Sequence, residues 1–496
     1  MEETTFRMLI VVSWALALLL IGFYAYRRGL PNPEDYFVAG RSLGFTIASL
    51  SLMATVLSAF AFLGLQGFAY WHGLGVVAIG SINLIYPMTY VFIGREFWEL
   101  GKRYGYITPA DLMRHRYGRM AGALTALIGL LCAYPLMVVQ MAGVGIIFNA
   151  LTEGAVPPIA GVIFLMALMA IYVALGGLRG AAWTNFIQGI MIVSLLALAS
   201  YELLNRFGGM ANIYSQISSK FPQLLSLPGP HGFWTHQQII SWAIIYGMGI
   251  IMTPTVWMSM YSMRSLKDLK RTSLAWILIM PFWHLFFLCT IGIVGRLTFP
   301  DLTERQADSI LPLLAAKLMP HLCGPLLAGA VAAAVSTAQF LLIASSAIVT
   351  NDLLRPILRI PERRAVALGR AIVALLAISA IPLAISPPGL LVDLGSMAYS
   401  MAALLFVPTV AGLYWRRANG VGASAGLMAG VATLLWLYYG PRPYGGFGVW
   451  GAWLGFPAAF WSTAFCSLFI FFGALLGPRA PNGMGQPLGR GPASRS

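Results

Sequence analysis

Residues 332–342 read AAAVSTAQFLL, and this stretch decides how the rest of the chain is interpreted. Small apolar residues crowd it, no charge lies near it, and two hydroxyl side chains, Ser336 and Thr337, stand side by side at its middle. A buried hydroxyl is costly unless it has a hydrogen-bond partner. These hydroxyls therefore either hydrogen-bond to carbonyls of their own helix or face a polar group of another segment. The surrounding sequence helps to decide between these two possibilities.

The composition of the whole chain is that of a membrane protein. Hydrophobic residues make up 59% of the 496 residues and charged residues 9%, against a usual charged share of roughly 25%. Long apolar runs recur, each long enough to cross a hydrocarbon core of about 30 Å. The sequence predicts an all-α integral membrane protein with thirteen transmembrane helices, at residues 8–26, 45–69, 74–94, 121–149, 157–175, 183–203, 239–262, 272–295, 323–350, 366–385, 390–414, 422–439 and 452–476.

The net charge of +15 is interpreted as a topology signal. With alternate loops assigned to opposite sides, 24 of the 31 Lys and Arg residues fall on one side and seven on the other. Because cytoplasmic loops carry the positive excess, we expect the amino terminus outside and the carboxyl terminus in the cytoplasm of a multi-pass cell (inner) membrane protein. The basic charge therefore gives no reason to expect a nucleic-acid partner.

The chain is predicted to form one membrane-embedded domain, residues 1–476, followed by a disordered Gly- and Pro-rich tail, 477–496. The segment 201–238 contains FPQLLSLPGPHG, whose Pro and Gly residues suit an ordered external turn over the mouth of a cavity. The four cysteines show no paired spacing, so we expect no disulfide and no metal site built from them.

No carboxylate lies in the middle of a predicted span, since all sixteen Asp and Glu residues fall in loops or at span ends. Proton-driven pumps usually place a carboxylate in the membrane interior. His284 is the one ionisable side chain well inside a span, and we interpret it as a packed, neutral imidazole, with a functional role as the alternative. A transported cation would then be held by neutral oxygen atoms.

Two predicted spans carry helix-breaking residues at mid-depth. Residues 50–73 are interrupted by Gly64 and Gly67, and residues 244–258 contain the set Gly247, Gly249 and Pro254. Carbonyl groups become available as ligands where a membrane helix unwinds beside a cavity. The two broken spans lie five spans apart, which predicts two inverted repeats, about 45–203 and 239–414, with a binding site at the midplane.

Ser336 and Thr337 are then predicted to face the broken part of the first of these spans, with the carbonyl of Ala333 one turn earlier. Small residues around them permit close contact between helices. The alternative is that both hydroxyls bond back to carbonyls of their own helix and only join helices together.

Four motifs resemble those of the sodium:solute symporters: EDYFVAGRSLG at 34–44, ALGGLRGAAWTNFIQGIMIV at 174–193, AAVSTAQFLLIASSAIVTNDLL at 333–354 and FVPTVAGLYWRRANGVGASAGLMAG at 406–430. The resemblance runs from about residue 34 to 435. It implies the LeuT-type fold, a core of five plus five helices in inverted repeats, here with one extra helix before the core and two after it.

The resemblance also implies a sodium site. Its ligands would be the backbone carbonyls of Ala54, Leu57 and Ala333 and the hydroxyls of Ser336 and Thr337. Sodium is the only metal expected, as a coupling ion, and no cofactor is expected.

The chain departs from the family pattern at three positions. Val56 stands where proline-transporting members have an acid, which disfavours proline as the solute. Asn185 replaces an Asp usual in its motif and bears on ion release or coupling. Ser259 stands where many members carry Arg, which predicts a different inner gate.

Substrate contacts are predicted between the two breaks, with core packing as the alternative for each side chain. The candidates are Phe60, Gln66, Gln140, Trp257 and Tyr399. A cavity without carboxylates disfavours cations, and exposed helix amino ends favour anionic groups.

We therefore predict a non-enzymatic, sodium-coupled symporter that imports a small monocarboxylate-type organic anion by alternating access. Its partners would be the solute, Na⁺ and the lipid bilayer. The alternatives are a pantothenate or amino-acid symporter of the same family, and an uncoupled facilitator or sensor that kept the fold.

Overall fold

The computed structural model describes residues 2–30, 32–76, 85–151, 154, 157–283, 289–385, 391–441 and 451–477, so His284 and the tail after Gly477 lie outside the described residues. The α-helices are α1 (Glu2–Arg28), α2 (Pro33–Val38), α3 (Phe45–Val56), α4 (Leu65–His72), α5 (Ile85–Tyr104), α6 (Pro109–Tyr117), α7 (Arg119–Leu151), α8 (Pro158–Arg206), α9 (Met210–Lys220), α10 (His236–Trp242), α11 (Gly249–Met252), α12 (Pro254–Tyr261), α13 (Leu266–Trp283), α14 (Cys289–Thr298), α15 (Glu304–Ala307), α16 (Ile310–Leu318), α17 (Pro320–Ala347), α18 (Arg355–Leu358), α19 (Glu362–Ile385), α20 (Leu391–Ala403), α21 (Phe406–Tyr414), α22 (Gly420–Tyr439) and α23 (Ala458–Leu476). Short 3₁₀ turns occupy Ala39–Arg41, Gly73–Val76, Pro222–Leu225 and Pro230–Gly232, and π-helical turns occupy Phe60–Gly64, Ala243–Met248 and Ile348–Leu354.

Among the described residues, seven helical segments are long and apolar enough to cross a bilayer, and two bent helix pairs also qualify as spans. The chain is therefore a multi-pass membrane protein. Thirteen helices remain a prediction, because the predicted spans 74–94 and 272–295 include residues outside the described ranges.

The predicted spans 157–175 and 183–203 are joined directly in α8 rather than by a loop. Gly177 separates them with φ 55° and ψ −155°, values outside the helical region. A Cβ atom at this position would lie 2.6 Å from the carbonyl oxygen of Tyr36. Only glycine therefore fits both the backbone conformation and the close approach of α2.

The chain is mostly but not wholly helical. Residues predicted as the start of the last span form two short antiparallel strands, β1 (Ala452–Trp453) and β2 (Phe456–Pro457). Leu454 and Gly455 between them both have positive φ, 50° and 84°. A type I′ hairpin turn requires positive φ at both central residues. Because this hairpin occupies the residues up to Pro457, the last helix begins at Ala458.

Helix α17 forms the centre of the protein. Its most apolar stretch is completely buried, and the helix packs against α3, α7, α8 and α19. Its small residues, AGAVAAAVSTA at 328–338, allow neighbouring backbones to come close. This packing brings Ser336 and Thr337 against α3.

Candidate functional site

The first broken helix is interrupted at Leu57. Helix α3 ends at Val56, Leu57 has φ −76° and ψ 67°, and the chain resumes in the π-helical turn that leads into α4, bent by 54° from α3. Gln140 of α7 stabilises this break, because its Oε1 accepts the Ala59 N–H at 2.9 Å while its Nε2 donates to the Leu136 carbonyl at 3.2 Å. Both polar groups of Gln140 are engaged with backbone, so the side chain positions the break.

The prediction that Gly64 and Gly67 break this span was wrong. Gly64 has φ −63° and ψ −49°, and Gly67 lies within α4. A Cβ atom at Gly67 would lie 2.7 Å from the backbone of Ala307. The glycine at 67 permits close packing of α4 against the α15 segment, and the actual break lies about two turns earlier.

The second broken helix is interrupted at Thr253, which has φ −60° and ψ 141°. Pro254 follows as the first residue of α12, and the two parts are bent by 43°. Gly247 lies in the preceding π-helical turn and Gly249 begins α11, where a Cβ atom would meet the Tyr399 carbonyl oxygen at 2.3 Å. Pro254 therefore adjoins the break, whereas the two predicted glycines do not form it.

The hydroxyls of Ser336 and Thr337 face the unwound end of α3. Ser336 Oγ lies 2.7 Å from the carbonyl oxygen of Ala54 and 2.8 Å from that of Ala333, and its one hydrogen can be donated to either. Thr337 Oγ1 lies 2.6 Å from the carbonyl oxygen of Thr55 and 3.3 Å from that of Ala333. Each hydroxyl therefore contacts both its own helix and α3. The result is a cluster of five neutral oxygen atoms, which we call the hydroxyl–carbonyl cluster.

Sequence reasoning missed Thr55. Neither hydroxyl donates to Leu57, the residue at the break, and the carbonyl of Thr55 is the second acceptor on α3 instead. The spacing of Ser51 and Thr55, one helical turn apart on α3, is the signal that indicates this polar face.

Asn185 of α8 lies directly behind the cluster. Its Nδ2 is 2.9 Å from Thr55 Oγ1, 3.0 Å from the Ser336 carbonyl oxygen and 3.3 Å from the Ser51 carbonyl oxygen. Its Oδ1 accepts a hydrogen bond from Gln339 Nε2 of α17. This fully buried amide therefore links α3, α8 and α17 without a charge.

An aromatic cluster lies where the two broken helices meet α20. Phe60, Tyr246 and Tyr399 pack with ring centroids 5.5–6.0 Å apart. The Tyr246 hydroxyl is hydrogen-bonded to Ser396 Oγ at 2.7 Å. The sequence-predicted Phe60 and Tyr399 are thus brought together, with Tyr246 as a third member that the sequence prediction did not include.

Of the two remaining predicted substrate contacts, Trp257 packs elsewhere and Gln66 is buried. The ring of Trp257 stacks on Phe97 at 4.4 Å, and its Nε1 donates to the Tyr261 hydroxyl at 2.7 Å. Gln66 is buried, and its Oε1 has no hydrogen-bond partner among the described residues. Among the described residues, no ring contact joins Trp257 to the aromatic cluster.

The amino-terminal end of α3 is hydrogen-bonded to the residues that follow the carboxyl-terminal end of α12. Leu43 and Met263 form a parallel β-bridge, in which the Arg264 N–H donates to the Leu43 carbonyl at 2.9 Å. Asp268 Oδ1 accepts the Phe45 N–H at 3.1 Å at the start of α3.

Arg41 adds a side-chain tie to the same end. Its guanidinium donates to the carbonyls of Tyr261 at 3.1 Å and Tyr106 at 2.9 Å. Ser259, predicted to alter the gate, donates through its hydroxyl to the Thr255 carbonyl of its own helix at 2.7 Å, and this hydroxyl has no other hydrogen-bond partner among the described residues. Arg41 and the Leu43–Met263 bridge therefore hold the ends of the two broken helices together.

Comparison with known proteins places these features in a family. The model of the sodium:solute symporter family matches residues 36–430. The chain is 28% identical over 449 residues to the sodium/pantothenate symporter of Escherichia coli, covering 87% of this chain and 92% of that protein. It is 25% identical over 430 residues to the high-affinity proline transporter PutP of Bacillus subtilis, covering 84% and 89%.

Among solved structures, the chain is similar to a substrate-bound, outward-open Na⁺-coupled sialic acid symporter. The TM-score is 0.78 at 18% sequence identity, with 96% of this chain and 98% of that chain covered. At this identity the likeness shows the shared fold. It supports the LeuT-type architecture implied by the sequence motifs.

Proposed function

The chain belongs to the sodium:solute symporter family, and on that premise we propose that it imports a small organic monocarboxylate together with sodium across the cell membrane by alternating access. Because this is a family of transporters, the chain is a transporter rather than an enzyme. The observation that carries the proposal is the convergence of the Ser336 and Thr337 hydroxyls with three backbone carbonyls at the unwound end of α3.

The hydroxyl–carbonyl cluster suits an alkali cation. Hard cations such as Ca²⁺ and Mg²⁺ take oxygen ligands, and we extend the same preference to Na⁺. A hydroxyl has one hydrogen and two lone pairs, so Ser336 and Thr337 can accept a cation while keeping a hydrogen bond. Among the described residues, none of the groups hydrogen-bonded to the two hydroxyls is a carboxylate. This favours sodium over a proton, which needs a titratable acceptor.

The aromatic cluster is the proposed solute site. Phe60 and Tyr399 supply apolar faces near the first break, and the helical segment that restarts at Phe60 has its amino end there. Helix amino ends favour anionic groups. A small carboxylate with an apolar body matches this combination.

Pantothenate is the first compound to test, because the chain resembles pantothenate symporters of E. coli and of Haemophilus influenzae, the latter at 27% identity. Amino acids are the second class. Val56, at the end of α3, carries no charge for an ammonium group.

Transport by alternating access requires the hydrogen bonds that join the ends of the two broken helices to break. We propose that Arg41 and the Leu43–Met263 bridge form the inner gate on the predicted cytoplasmic side. Sodium provides the driving force, since one charge crossing a potential of 100 mV releases about 2.3 kcal/mol. Coupling follows if sodium binding at α3 favours the conformation that binds the solute.

The test is uptake into proteoliposomes of purified protein, after a thermal-shift screen of pantothenate, small monocarboxylates and amino acids with and without sodium. We expect a monocarboxylate to accumulate under an inward sodium gradient and not with choline in place of sodium. Equal uptake in both buffers would show an uncoupled facilitator. Binding without any uptake would show a sensor.

A further inference from the structure

A cavity of about 310 Å³ lies apart from the helix breaks, at the end of α4. Its wall includes Trp71 from α4, Phe221, Gln223 and His231 from the connecting segment, and Arg296 from α14. The connecting segment is the one predicted to form an ordered external turn. It is fastened to α4, since Trp234 Nε1 donates to the His72 carbonyl at 3.0 Å.

Arg296 is held in a fixed position in this cavity. Its Nη1 donates to the Tyr70 hydroxyl at 2.9 Å, and its guanidinium carbon lies 4.9 Å from the Tyr70 ring centre and 5.5 Å from that of Phe221. The Tyr70 oxygen is itself fixed by donating to the Phe299 carbonyl at 2.6 Å and accepting the Leu302 N–H at 3.0 Å. The guanidinium is therefore oriented before any ligand arrives.

The charge of Arg296 has no counter-ion in the described part of the chain, where no carboxylate lies within ion-pair distance of it. Only one of its five N–H groups has a hydrogen-bond partner there. Beside it, the His231 ring stacks on Trp71 with centroids 5.1 Å apart and an interplanar angle of 18°. The cavity thus combines a fixed cationic fork with flat aromatic walls.

We propose that this cavity is a second binding site, for a small organic carboxylate with an apolar or aromatic body. The Arg296 fork would pair with the carboxylate, a bidentate geometry that arginine favours. Trp71, His231 and Phe221 would cover the apolar part, and the volume lies at the lower end of small-molecule sites.

This site is separate from the proposed solute site at the breaks. Trp71 is eleven residues along the chain from Phe60, which corresponds to roughly 16 Å along a helix. Both sites can therefore hold ligand at once, and the outer cavity would receive the solute before it reaches the breaks. This order of events rests on the proposed function, whereas binding of a carboxylate in the cavity does not.

The test is ¹⁹F NMR of 4-fluorobenzoate with the full-length protein in zwitterionic nanodiscs, in choline buffer. We expect broadening of the signal by wild type, and at least fivefold weaker binding by Arg296→Gln. Arg305→Gln is the matched control, since Arg305 is exposed, carries the same charge and is not among the residues lining the cavity. Gln223→Trp, which fills the cavity and leaves Arg296 in place, should also weaken binding.

Wild-type affinity for 4-fluorobenzoate in a folded Arg296→Gln or Gln223→Trp variant would overturn the proposal. Equal binding of the neutral 4-fluorobenzyl alcohol would also overturn it. Loss of binding when anionic lipid is added would contradict it too, because a lipid headgroup would then be the occupant. The Ser336→Ala/Thr337→Ala variant should bind 4-fluorobenzoate like wild type. A failure of sodium coupling would therefore leave this result intact, and failure of the cavity to bind would leave sodium-driven uptake intact.

Discussion

The hydroxyl of Ser336 lies 2.7 Å from the carbonyl oxygen of Ala54, although 282 positions separate the two residues. The carbonyl lies in the last turn of α3, just before the break at Leu57. The hydroxyl lies in the middle of the buried helix α17. A membrane helix can present such a carbonyl only where its own hydrogen bonding stops, so the break and the paired hydroxyls act as one unit.

Replacing Asn185 with leucine should weaken this unit. The change removes the hydrogen bonds by which Asn185 joins α8 to α3 and α17, and each lost hydrogen bond costs about 0.5–1.5 kcal/mol. We expect a lower Tm and at least tenfold weaker sodium binding, measured by thermal unfolding and by ²²Na⁺ titration in nanodiscs. Asn212→Leu, at an exposed position, is the control. An unchanged sodium affinity in Asn185→Leu would contradict the proposal that Asn185 supports the sodium site.

Gln140→Leu should destabilise the protein, whereas Gln188→Leu should not. Gln140 satisfies the Ala59 N–H at the break, so its loss should lower the free energy of unfolding by about 1–3 kcal/mol and raise the sodium concentration needed for uptake. Gln188 is also fully buried, but neither end of its amide has a partner among the described residues. Its replacement should be neutral or stabilising. Equal Tm losses in both variants would contradict the role given to Gln140.

Phe60→Ala should raise the KM for the solute about tenfold or more, because it removes one wall of the aromatic cluster. Sodium binding should change little, since the hydroxyl–carbonyl cluster contains no part of the Phe60 side chain. Trp257→Phe is the comparison, because Trp257 packs on Phe97 and not on this cluster. Uptake kinetics at saturating sodium measure both. A larger effect on KM for Trp257→Phe would place the solute site beside Trp257 instead of at the aromatic cluster.

Asp308 should give the protein a pH-dependent stability. Burial raises the pKa of this carboxyl from 3.8 to about 7, and its Oδ2 accepts the Leu391 N–H at 3.3 Å at the start of α20. Because the pKa in the folded protein is higher than in the unfolded chain, the folded state binds more protons between pH 4 and 7. Stability from this group is full below pH 4 and falls as the pH rises to about 7.

Asp308→Asn should therefore raise Tm relative to wild type at pH 8, and the difference should shrink towards pH 5. Asp301→Asn, at an exposed position in the same connection, should show no such trend. Thermal unfolding in detergent at a series of pH values measures this. Parallel curves for wild type and Asp308→Asn would be incompatible with the assigned pKa.

The sequence was sufficient for a mostly helical membrane protein, for the family, and for four of the five residues that form the hydroxyl–carbonyl cluster. Composition and span length predict the membrane-spanning helices, and the adjacent hydroxyls of Ser336 and Thr337 in an apolar segment predict the polar cluster. The first break was misplaced because Gly64 and Gly67 serve close packing, whereas the unwound residues Leu57 and Ser58 are ordinary helix-compatible residues, and Gln140 binds the N–H of Ala59 that follows them. Such a tertiary contact leaves no local signal.

The substrate contacts were harder for the same reason. Trp257 and Phe60 are both aromatic residues next to a break, but Trp257 stacks on Phe97 of α5 whereas Phe60 packs on Tyr246. The inner tie through Arg41 could not be predicted either, because its acceptors are backbone carbonyls of Tyr261 and Tyr106, which any residue at those positions would supply.

Sodium affinity of a Ser336→Ala/Thr337→Ala variant tests the central claim most directly. Equilibrium ²²Na⁺ binding to purified protein in nanodiscs would be compared with wild type and with Ser345→Ala, which removes a buried hydroxyl from the same helix that has no described partner. We predict at least tenfold weaker binding in the double variant, a loss of about 1.4 kcal/mol or more, and no change in Ser345→Ala. A folded double variant that binds sodium with wild-type affinity would contradict the account.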